Sequence, residues 1–331
     1  MDVGLALPHY DHSVPGERPL RWETVVAWAR AAEVAGLGSV WLSDHLFVSL
    51  ARWGGPDEDQ EGFEPLAALA GLAGATERVR LGTLVLCPHL RPPGVLAKAL
   101  ATVDVLSEGR LTVGIGAGWF EPEYAAAGLE FPSAPRRVAR LAETVEVLRL
   151  AFTGEPFDHQ GQHVQMERMV CLPRPVQRPG PPIWIGGSGD RLLEVAGRHA
   201  DGWNAGGWSG TVADFVERAA ALDRSCAKAG RDPATIVRSV NRLALVGEDE
   251  ADLRRRFDLL GARSVPGALR GMSLDDYRAG RLVGTVEQVR DQLGEWAAAG
   301  VTTLIVALGA LPFTVTGFDD LELVASASQQ R

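Results

Sequence analysis

The sequence is poor in lysine. Of its 33 positively charged side chains only Lys98 and Lys228 are lysines, while 42 residues are acidic, which gives a formal net charge of −9. A protein that binds nucleic acid neutralises phosphates with clustered Lys and Arg side chains, and no such basic cluster is present in this sequence. We therefore expect no nucleic-acid partner.

Cysteines are few and long hydrophobic runs are missing. The three cysteines, Cys87, Cys171 and Cys226, are far apart and show no C-x-x-C spacing, which fits a reducing, cytoplasmic setting. There is no run of about 18 apolar residues, the length that spans a bilayer. The chain also does not open with the basic and apolar segments of an export signal. We expect a soluble, cytoplasmic protein with no membrane partner.

Motifs for metal sites and for serine hydrolases are also absent. His9 and His12 do not form an H-x-H pair, and neither H-E-x-x-H nor G-x-S-x-G occurs. Cys87 ends the third predicted strand and is a conceivable nucleophile, although a small apolar filler is the commoner role for such a residue. We expect no catalytic metal.

Short apolar runs alternate with segments of helical period. The predicted strands are 3–8, 39–42, 79–86, 111–115, 183–185, 201–204, 236–246 and 302–307. The predicted helices are 22–35, 65–75, 93–106, 135–152, 191–199, 212–229 and 286–299, with two further helical stretches within 250–277. Eight strands with intervening helices favour an α/β fold of the TIM (β/α)8 barrel type. A doubly wound open sheet is the alternative.

Two segments interrupt this alternation. We interpret residues 1–331 as one domain, with an insertion at about 154–182 that is rich in proline and forms a small hairpin outside the barrel. Residues 50–62 combine glycine, proline and acidic side chains, which predicts a mobile loop over the active face.

The second predicted strand ends in Ser43-Asp44-His45. In a parallel barrel the carboxyl ends of the strands form the active face, so an Asp-His pair at this edge is a candidate site. The alternative is that Asp44 caps the next segment and that His45 is merely exposed.

Two glycine-rich turns follow predicted strands. Gly114-Ile115-Gly116-Ala117-Gly118 lacks the G-x-G-x-x-G spacing of a dinucleotide site, and it either lets a flat ligand approach the backbone or forms a tight bend. Gly186-Gly187-Ser188 enters a helix, where backbone N–H groups and a hydroxyl favour a phosphate over a merely flexible turn.

The chain is rich in tryptophan, with nine residues. Trp41 and Trp184 lie inside predicted strands, where we expect them in the core. Trp119 and Trp203 lie at or just beyond strand ends, where they could form the wall around a ring-shaped ligand.

Taken together, these motifs resemble the luciferase-like monooxygenase superfamily, in the branch that uses the deazaflavin coenzyme F420. The matching segments span most of the chain and are 32–37, 39–45, 79–83, 96–99, 104–110, 114–119, 182–187 and 200–203. As an ordered set they are specific for the superfamily, and much less specific for cofactor and substrate.

The resemblance implies a TIM barrel with the flavin-like ring at the carboxyl ends of the strands. It implies a bulge, often with a non-prolyl cis peptide, at Leu84-Val85 behind the ring. It also implies that Gly116, Ala117, Gly118 and Trp119 lie along the cofactor, and that Asp44 bonds near the ring while His45 faces the substrate. Gly186, Gly187 and Ser188 would bind the phosphate, and we include Cys87 among the cofactor-binding candidates.

The chain departs from the sugar-phosphate dehydrogenases of this branch at two positions. Trp119 stands where those enzymes have a Glu, and Ser49 stands where they have a Trp. Sugar-phosphate oxidation is therefore not expected. Glu123 is a possible replacement acid, although a structural carboxylate at a helix start is the simpler interpretation.

We therefore predict an oxidoreductase that moves hydride between F420 and a small organic substrate, with His45 as the proton donor or acceptor. The alternatives are an FMN-dependent monooxygenase that uses oxygen and a separate flavin reductase, and a non-catalytic flavin-binding protein. We expect a homodimer, as is frequent in the superfamily. Because the net charge would repel an acidic coenzyme, we also expect arginine within reach of the phosphate turn.

Overall fold

The computed structural model describes residues 1–329 of the chain. Within that range the strands are β1 (Asp2–Ala6), β2 (Ser39–Leu42), β3 (Phe47–Ser49), β4 (Asp59–Glu61), β5 (Arg80–Thr83), β6 (Leu111–Ile115), β7 (Phe157–Gln160), β8 (Gln165–Met169), β9 (Ile183–Gly186), β10 (Gly202–Asn204), β11 (Val237–Gly247), β12 (Leu282–Thr285) and β13 (Thr303–Ala307). The helices are α1 (Trp22–Val34), α2 (Pro65–Ala75), α3 (Pro93–Leu106), α4 (Glu121–Ala126), α5 (Ala134–Phe152), α6 (Asp190–His199), α7 (Val212–Lys228), α8 (Glu250–Arg263), α9 (Leu274–Arg278), α10 (Val286–Ala298) and α11 (Phe318–Ser328).

Eight of the strands within residues 1–329 close into a parallel barrel. Their order around the barrel is β1-β2-β5-β6-β9-β10-β11-β13, and β13 returns to pair with β1, with Val3 opposite Leu304. Closure confirms the predicted TIM barrel. It excludes the open sheet, in which the first and last strands would keep unpaired edges.

The helices pack one apolar face against the outside of the barrel. In α1 the buried residues Val25, Trp28, Ala29 and Ala32 recur at spacings of three and four and so lie on one side of the helix. Gly36 follows with a φ of +85°, a left-handed conformation that ends the helix at low steric cost. No helix among residues 1–329 is long and apolar enough to cross a membrane.

The structure adds β12, α4 and α11 to the predicted elements. The helix α4, with six residues, is too short for a hydrophobic period to reveal it. The strand β12, which pairs with the end of β11, contains only two large apolar residues, Leu282 and Val283, before a glycine. By contrast α11 buries Leu321, Val324 and Ala325 at helical spacing, so its signal was present in the sequence.

The two interrupting segments each contain a hairpin. β7 and β8 pair antiparallel within the predicted insertion, which confirms the hairpin expected there. The segment at residues 50–62, predicted as a mobile loop over the active face, contains regular structure, and its mobility stays a prediction. A 3-10 turn covers Leu50–Trp53, and β4 pairs antiparallel with β3, because alternate burial of Val48 and Gln60 gives this short ribbon an inner face.

Two indoles fill the interior of the barrel, as predicted for Trp41 and Trp184. Both are buried, and their ring centroids are 5.1 Å apart. Glycines on the neighbouring strands provide the space: a Cβ at Gly82 would lie 2.2 Å from Trp41, and one at Gly202 would lie 2.4 Å from Trp184. The barrel interior is therefore a packed core of large side chains against glycines.

We predict that Gly82→Ala lowers the free energy of unfolding by about 2 kcal/mol or more, because the added methyl overlaps the rigid Trp41 ring. Chemical denaturation of the purified variant measures this change.

Gly74→Ala in α2 is the matched control. Beyond its chain neighbours and the backbone of its own helix, a methyl there would meet no atom of residues 1–329 within 4 Å, and alanine favours a helix, so we expect stabilisation of up to about 1 kcal/mol. Equal stability of the two variants would contradict this account of the packing around Trp41.

Candidate active site

The carboxyl ends of the barrel strands border two adjoining cavities. The glycine-lined cavity has a volume of about 360 Å³, and its wall includes Gly116, Gly118, Gly186, Gly187, Gly206 and Gly207. The aromatic cavity has a volume of about 580 Å³, and its wall includes Tyr10, Trp53, Trp208 and Phe313. The residues that line both cavities are His45, Leu84, Trp119, Gly207 and Trp208.

The predicted site residues meet at the glycine-lined cavity, with one exception. Its wall includes Asp44, His45, Leu84, Val85, Cys87, Gly116, Ala117, Gly118, Trp119, Gly186 and Gly187. Ser188 follows Gly187 in the chain but is exposed and lies outside this wall. The structure brings these residues to one place, and their roles stay predictions.

Val85 forms one wall of the glycine-lined cavity. The Leu84–Val85 peptide bond is cis, as the resemblance implied. A Cβ on Gly116 or on Gly186 would lie 2.7 Å from a methyl carbon of Val85. Because glycine has no Cβ, β6 and β9 approach Val85 closely, and the wall presents backbone and one small side chain to a planar ligand.

Asp44 is a buried carboxylate with an arginine and a backbone donor beside it. Its two oxygens accept hydrogen bonds from Arg91 at 2.7 and 2.9 Å, and Oδ2 also accepts the backbone N–H of Cys87 at 2.8 Å. Burial alone would lower the pKa of Arg91, but Asp44 and Glu64 outweigh it and raise that pKa. Sequence reasoning missed Arg91, which lies in the loop after β5 and carries no motif.

Glu123 holds His45 on the boundary between the cavities. The imidazole Nδ1 lies 3.2 Å from both carboxylate oxygens, and the backbone N–H of Leu46 donates to one of them at 3.2 Å. A buried carboxylate can only accept, so Nδ1 carries a proton and Nε2 is left for another partner. Glu123, which sequence reasoning considered mainly structural, thus contacts the predicted catalytic residue.

Cys87 lines the cavity beside Tyr124. Its Sγ lies 3.1 Å from the Tyr124 hydroxyl, and burial raises the pKa of the thiol. A neutral buried thiol is a poor nucleophile, so the geometry favours the filler role over the nucleophile that the sequence left open.

Trp203 does not form a wall around a ligand, and that interpretation of the sequence is wrong. Its ring is buried outside the barrel, stacked on Phe215 with centroids 5.6 Å apart, because α7 packs there. Its Nε1–H donates to the carbonyl of Gly187 at 2.8 Å and so helps to fix the second glycine-rich turn.

The predicted phosphate turn precedes α6 and has an arginine beside it. Arg218 donates to the carbonyl of Ser188 at 2.5 Å and to Asp190 at 2.6 Å. An arginine thus lies within reach of the turn, as expected, although Asp190 already pairs with its charge. Among residues 1–329 no group of three or more His, Cys, Asp or Glu side chains could hold a metal ion.

Comparison with known proteins gives one family and several relatives. The luciferase-like monooxygenase family matches residues 1–303. An F420-dependent hydroxymycolic acid dehydrogenase of Mycobacterium tuberculosis is 30% identical over 328 residues, which cover 96% of this chain and 83% of that protein. An F420-dependent glucose-6-phosphate dehydrogenase of Amycolatopsis mediterranei is 35% identical, but the match covers only 54% of this chain and 52% of that protein.

Solved structures share the fold at low identity. A long-chain alkane monooxygenase gives a TM-score of 0.79 at 17% identity and covers 98% of this chain and 90% of that one. An F420-dependent secondary alcohol dehydrogenase gives a TM-score of 0.77 at 20% identity and covers 99% of both chains.

We predict that Arg91→Gln lowers the free energy of unfolding by about 3 kcal/mol, because the buried Asp44 carboxylate loses both charge-assisted hydrogen bonds. Thermal and chemical denaturation report the change.

Arg136→Gln is the matched control. Arg136 is exposed and pairs with the exposed Glu130 at 3.5 Å, so we expect no measurable loss of stability. If the two variants were equally stable, the Asp44–Arg91 pair would not be what holds the loop after β5.

Proposed function

The chain belongs to the luciferase-like monooxygenase family, and from this membership we propose that it is an oxidoreductase that transfers hydride between the deazaflavin coenzyme F420 and a small organic substrate. The names of its relatives support the coenzyme, since both dehydrogenases above are F420-dependent. The observation that carries the proposal is that His45, held by buried Glu123, lies on the boundary between the two cavities.

The glycine-lined cavity fits the coenzyme. Gly116, Val85 and Gly186 leave a wall without bulky side chains for a planar ring, and Asp44 is fixed beside it. The turn at Gly187-Ser188 leads into the ten-residue helix α6, whose first N–H groups favour a phosphate. When bound, F420 would supply the carbon centre that accepts or donates hydride.

The aromatic cavity fits a mainly apolar substrate. Trp53, Trp208 and Phe313 cover its walls, and polar side chains are a minority of its lining. Such a lining keeps water from the place where hydride moves, which prevents side reactions and strengthens the polar contacts that remain. His45 then holds or moves the proton at Nε2 while Glu123 fixes the orientation of the ring.

We also propose that the protein is a cytoplasmic homodimer. Dimers are frequent in the superfamily that the sequence resembles. Large apolar side chains are exposed on and beside α3, at Val95, Leu106, Leu172 and Val176. The segment that carries Leu172 and Val176 is hydrogen-bonded to α3, since the side chain of Asp104 accepts a hydrogen bond from the backbone N–H of Val176 at 2.7 Å.

We predict that the purified protein binds F420 at least about tenfold more tightly than FMN. Titration of each coenzyme, followed by its own fluorescence, measures the two dissociation constants. Tight binding of FMN alone would contradict the proposal and favour a monooxygenase with a flavin reductase as partner. Binding of F420 without turnover on a broad substrate panel would favour a non-catalytic binding protein.

We predict that His45→Ala lowers kcat with F420 by roughly 10²- to 10⁴-fold while leaving the dissociation constant of F420 within about threefold, because the proton transfer is lost but the glycine-lined wall remains. Glu123→Gln, which keeps an acceptor but removes the charge, should give a smaller loss of about tenfold.

The matched control is His159→Ala in β7, which lies in the hairpin outside the barrel and should leave kcat unchanged. Full turnover by His45→Ala with the coenzyme still bound would eliminate His45 as the acid–base group.

A further inference from the structure

We propose that Tyr10 is a second polar anchor of the aromatic cavity, which accepts a hydrogen bond from a substrate hydroxyl other than the oxygen that His45 serves. The substrate is then a mainly apolar molecule with a hydroxyl beside its reacting carbon centre. This inference rests on the proposed function only in taking the aromatic cavity as the substrate site.

A buried chain of hydrogen bonds holds Tyr10. The Tyr10 hydroxyl lies 2.6 Å from Ser43 Oγ, and Ser43 Oγ lies 3.0 Å from His9 Nε2. His9 Nδ1 lies 2.9 Å from the carbonyl oxygen of Leu7. The side chains of His9, Tyr10 and Ser43 are all buried, and Tyr10 and Ser43 line the aromatic cavity.

The partners of His9 fix where its proton lies. A carbonyl oxygen can only accept, so Nδ1 carries the hydrogen. Burial lowers the pKa of His9 to about 3, so the ring is neutral and Nε2 has a lone pair. The backbone N–H of Ser43 also points at Nε2, at 3.2 Å, which is consistent with an acceptor there.

These assignments fix which group donates and which accepts in each hydrogen bond from His9 to Tyr10. The Ser43 hydroxyl must donate to His9 Nε2, because otherwise two lone pairs would face each other at 3.0 Å. Ser43 Oγ then accepts the hydrogen of Tyr10. Burial raises the pKa of Tyr10, so the phenol stays neutral. Its hydrogen is committed to Ser43, so its oxygen can only accept, and Tyr10 is part of the cavity wall.

The ring of Tyr10 is held as firmly as its hydroxyl. His12 stacks on it with centroids 5.4 Å apart, and Phe313 packs edge-on at 6.4 Å. A Cβ at Gly62 would lie 2.5 Å from the ring, so the backbone directly after β4 also packs against it. Because the hydrogen of the Tyr10 hydroxyl is held by Ser43, this hydroxyl can accept a hydrogen bond from a ligand but cannot donate one. It therefore favours an alcohol over a ketone, whose oxygen can only accept.

The test uses three probes that F420 in its oxidised form cannot turn over. The first is 2-phenylpropan-2-ol, an alcohol whose carbinol carbon carries no hydrogen and so cannot give hydride. The second is its methyl ether, which has no hydroxyl hydrogen to donate. The third is acetophenone, a ketone whose oxygen can only accept a hydrogen bond. Dissociation constants are measured by tryptophan fluorescence with and without oxidised F420. For the wild type we expect the alcohol to bind roughly three- to tenfold more tightly than the ether and the ketone.

Two variants distinguish a hydrogen-bond acceptor at Tyr10 from a purely structural side chain. Tyr10→Phe should abolish the preference for the alcohol. Ser43→Ala should instead strengthen acetophenone relative to the alcohol, because the freed phenol hydrogen can now donate to the ketone, and a structural role alone would not produce this reversal. Tyr277→Phe is the matched control: Tyr277 lines neither cavity and its hydroxyl donates to the Gly309 carbonyl, so the preference should remain.

The proposal is overturned if the wild type shows no preference for the alcohol or no binding of any probe. It is also overturned if Tyr10→Phe keeps the preference for the alcohol. If His45→Ala removes the preference in that case, the alcohol binds at His45 instead. Failure of the proposed function would appear separately, as absence of F420 binding, and the probe ratios could still be measured without the coenzyme.

Discussion

The buried charge of Asp44 is the constraint on which the candidate site depends. A carboxylate in this position is tolerable only with a cation and a donor beside it, and Arg91 and the Cys87 N–H provide both. The hydrogen bonds from Arg91 and Cys87 to Asp44 connect the end of β2 to the loop after β5. Because Ser43 and His45 flank Asp44 in the chain, their directions are set by the same contact, one toward β1 and one toward α4.

Backbone atoms form much of the wall of the glycine-lined cavity, whereas large side chains form the wall of the aromatic cavity. The glycine-lined cavity is shaped by the absence of side chains, since glycines on β6 and β9 let Val85 approach and leave a smooth wall. The aromatic cavity is shaped by bulky aromatic rings with a few oriented polar groups between them. His45 lies where the two meet, and the Glu123 carboxylate that holds it comes from a helix of six residues.

Much of the barrel and part of the site could be predicted from the sequence. The strands of the barrel are short apolar runs with clear breaks, and the segment Ser43-Asp44-His45 marks a strand end by itself. The partners Arg91, Glu123 and Tyr10 could not be assigned, because each meets its partner across more than 30 residues and carries no local signal. Trp203 was misplaced because an indole at a strand end can face either inward or, as here, toward a covering helix.

The pairing of Trp41 with Gly82, and of Trp184 with Gly202, also has an evolutionary consequence. Each pair fills one fixed volume, so neither residue can be replaced by a larger one without a compensating change in the other. Among descendants of this barrel a side chain gained at position 82 requires a smaller ring at position 41 in the same lineage. The inherited unit in the barrel interior is therefore the pair of residues rather than the tryptophan.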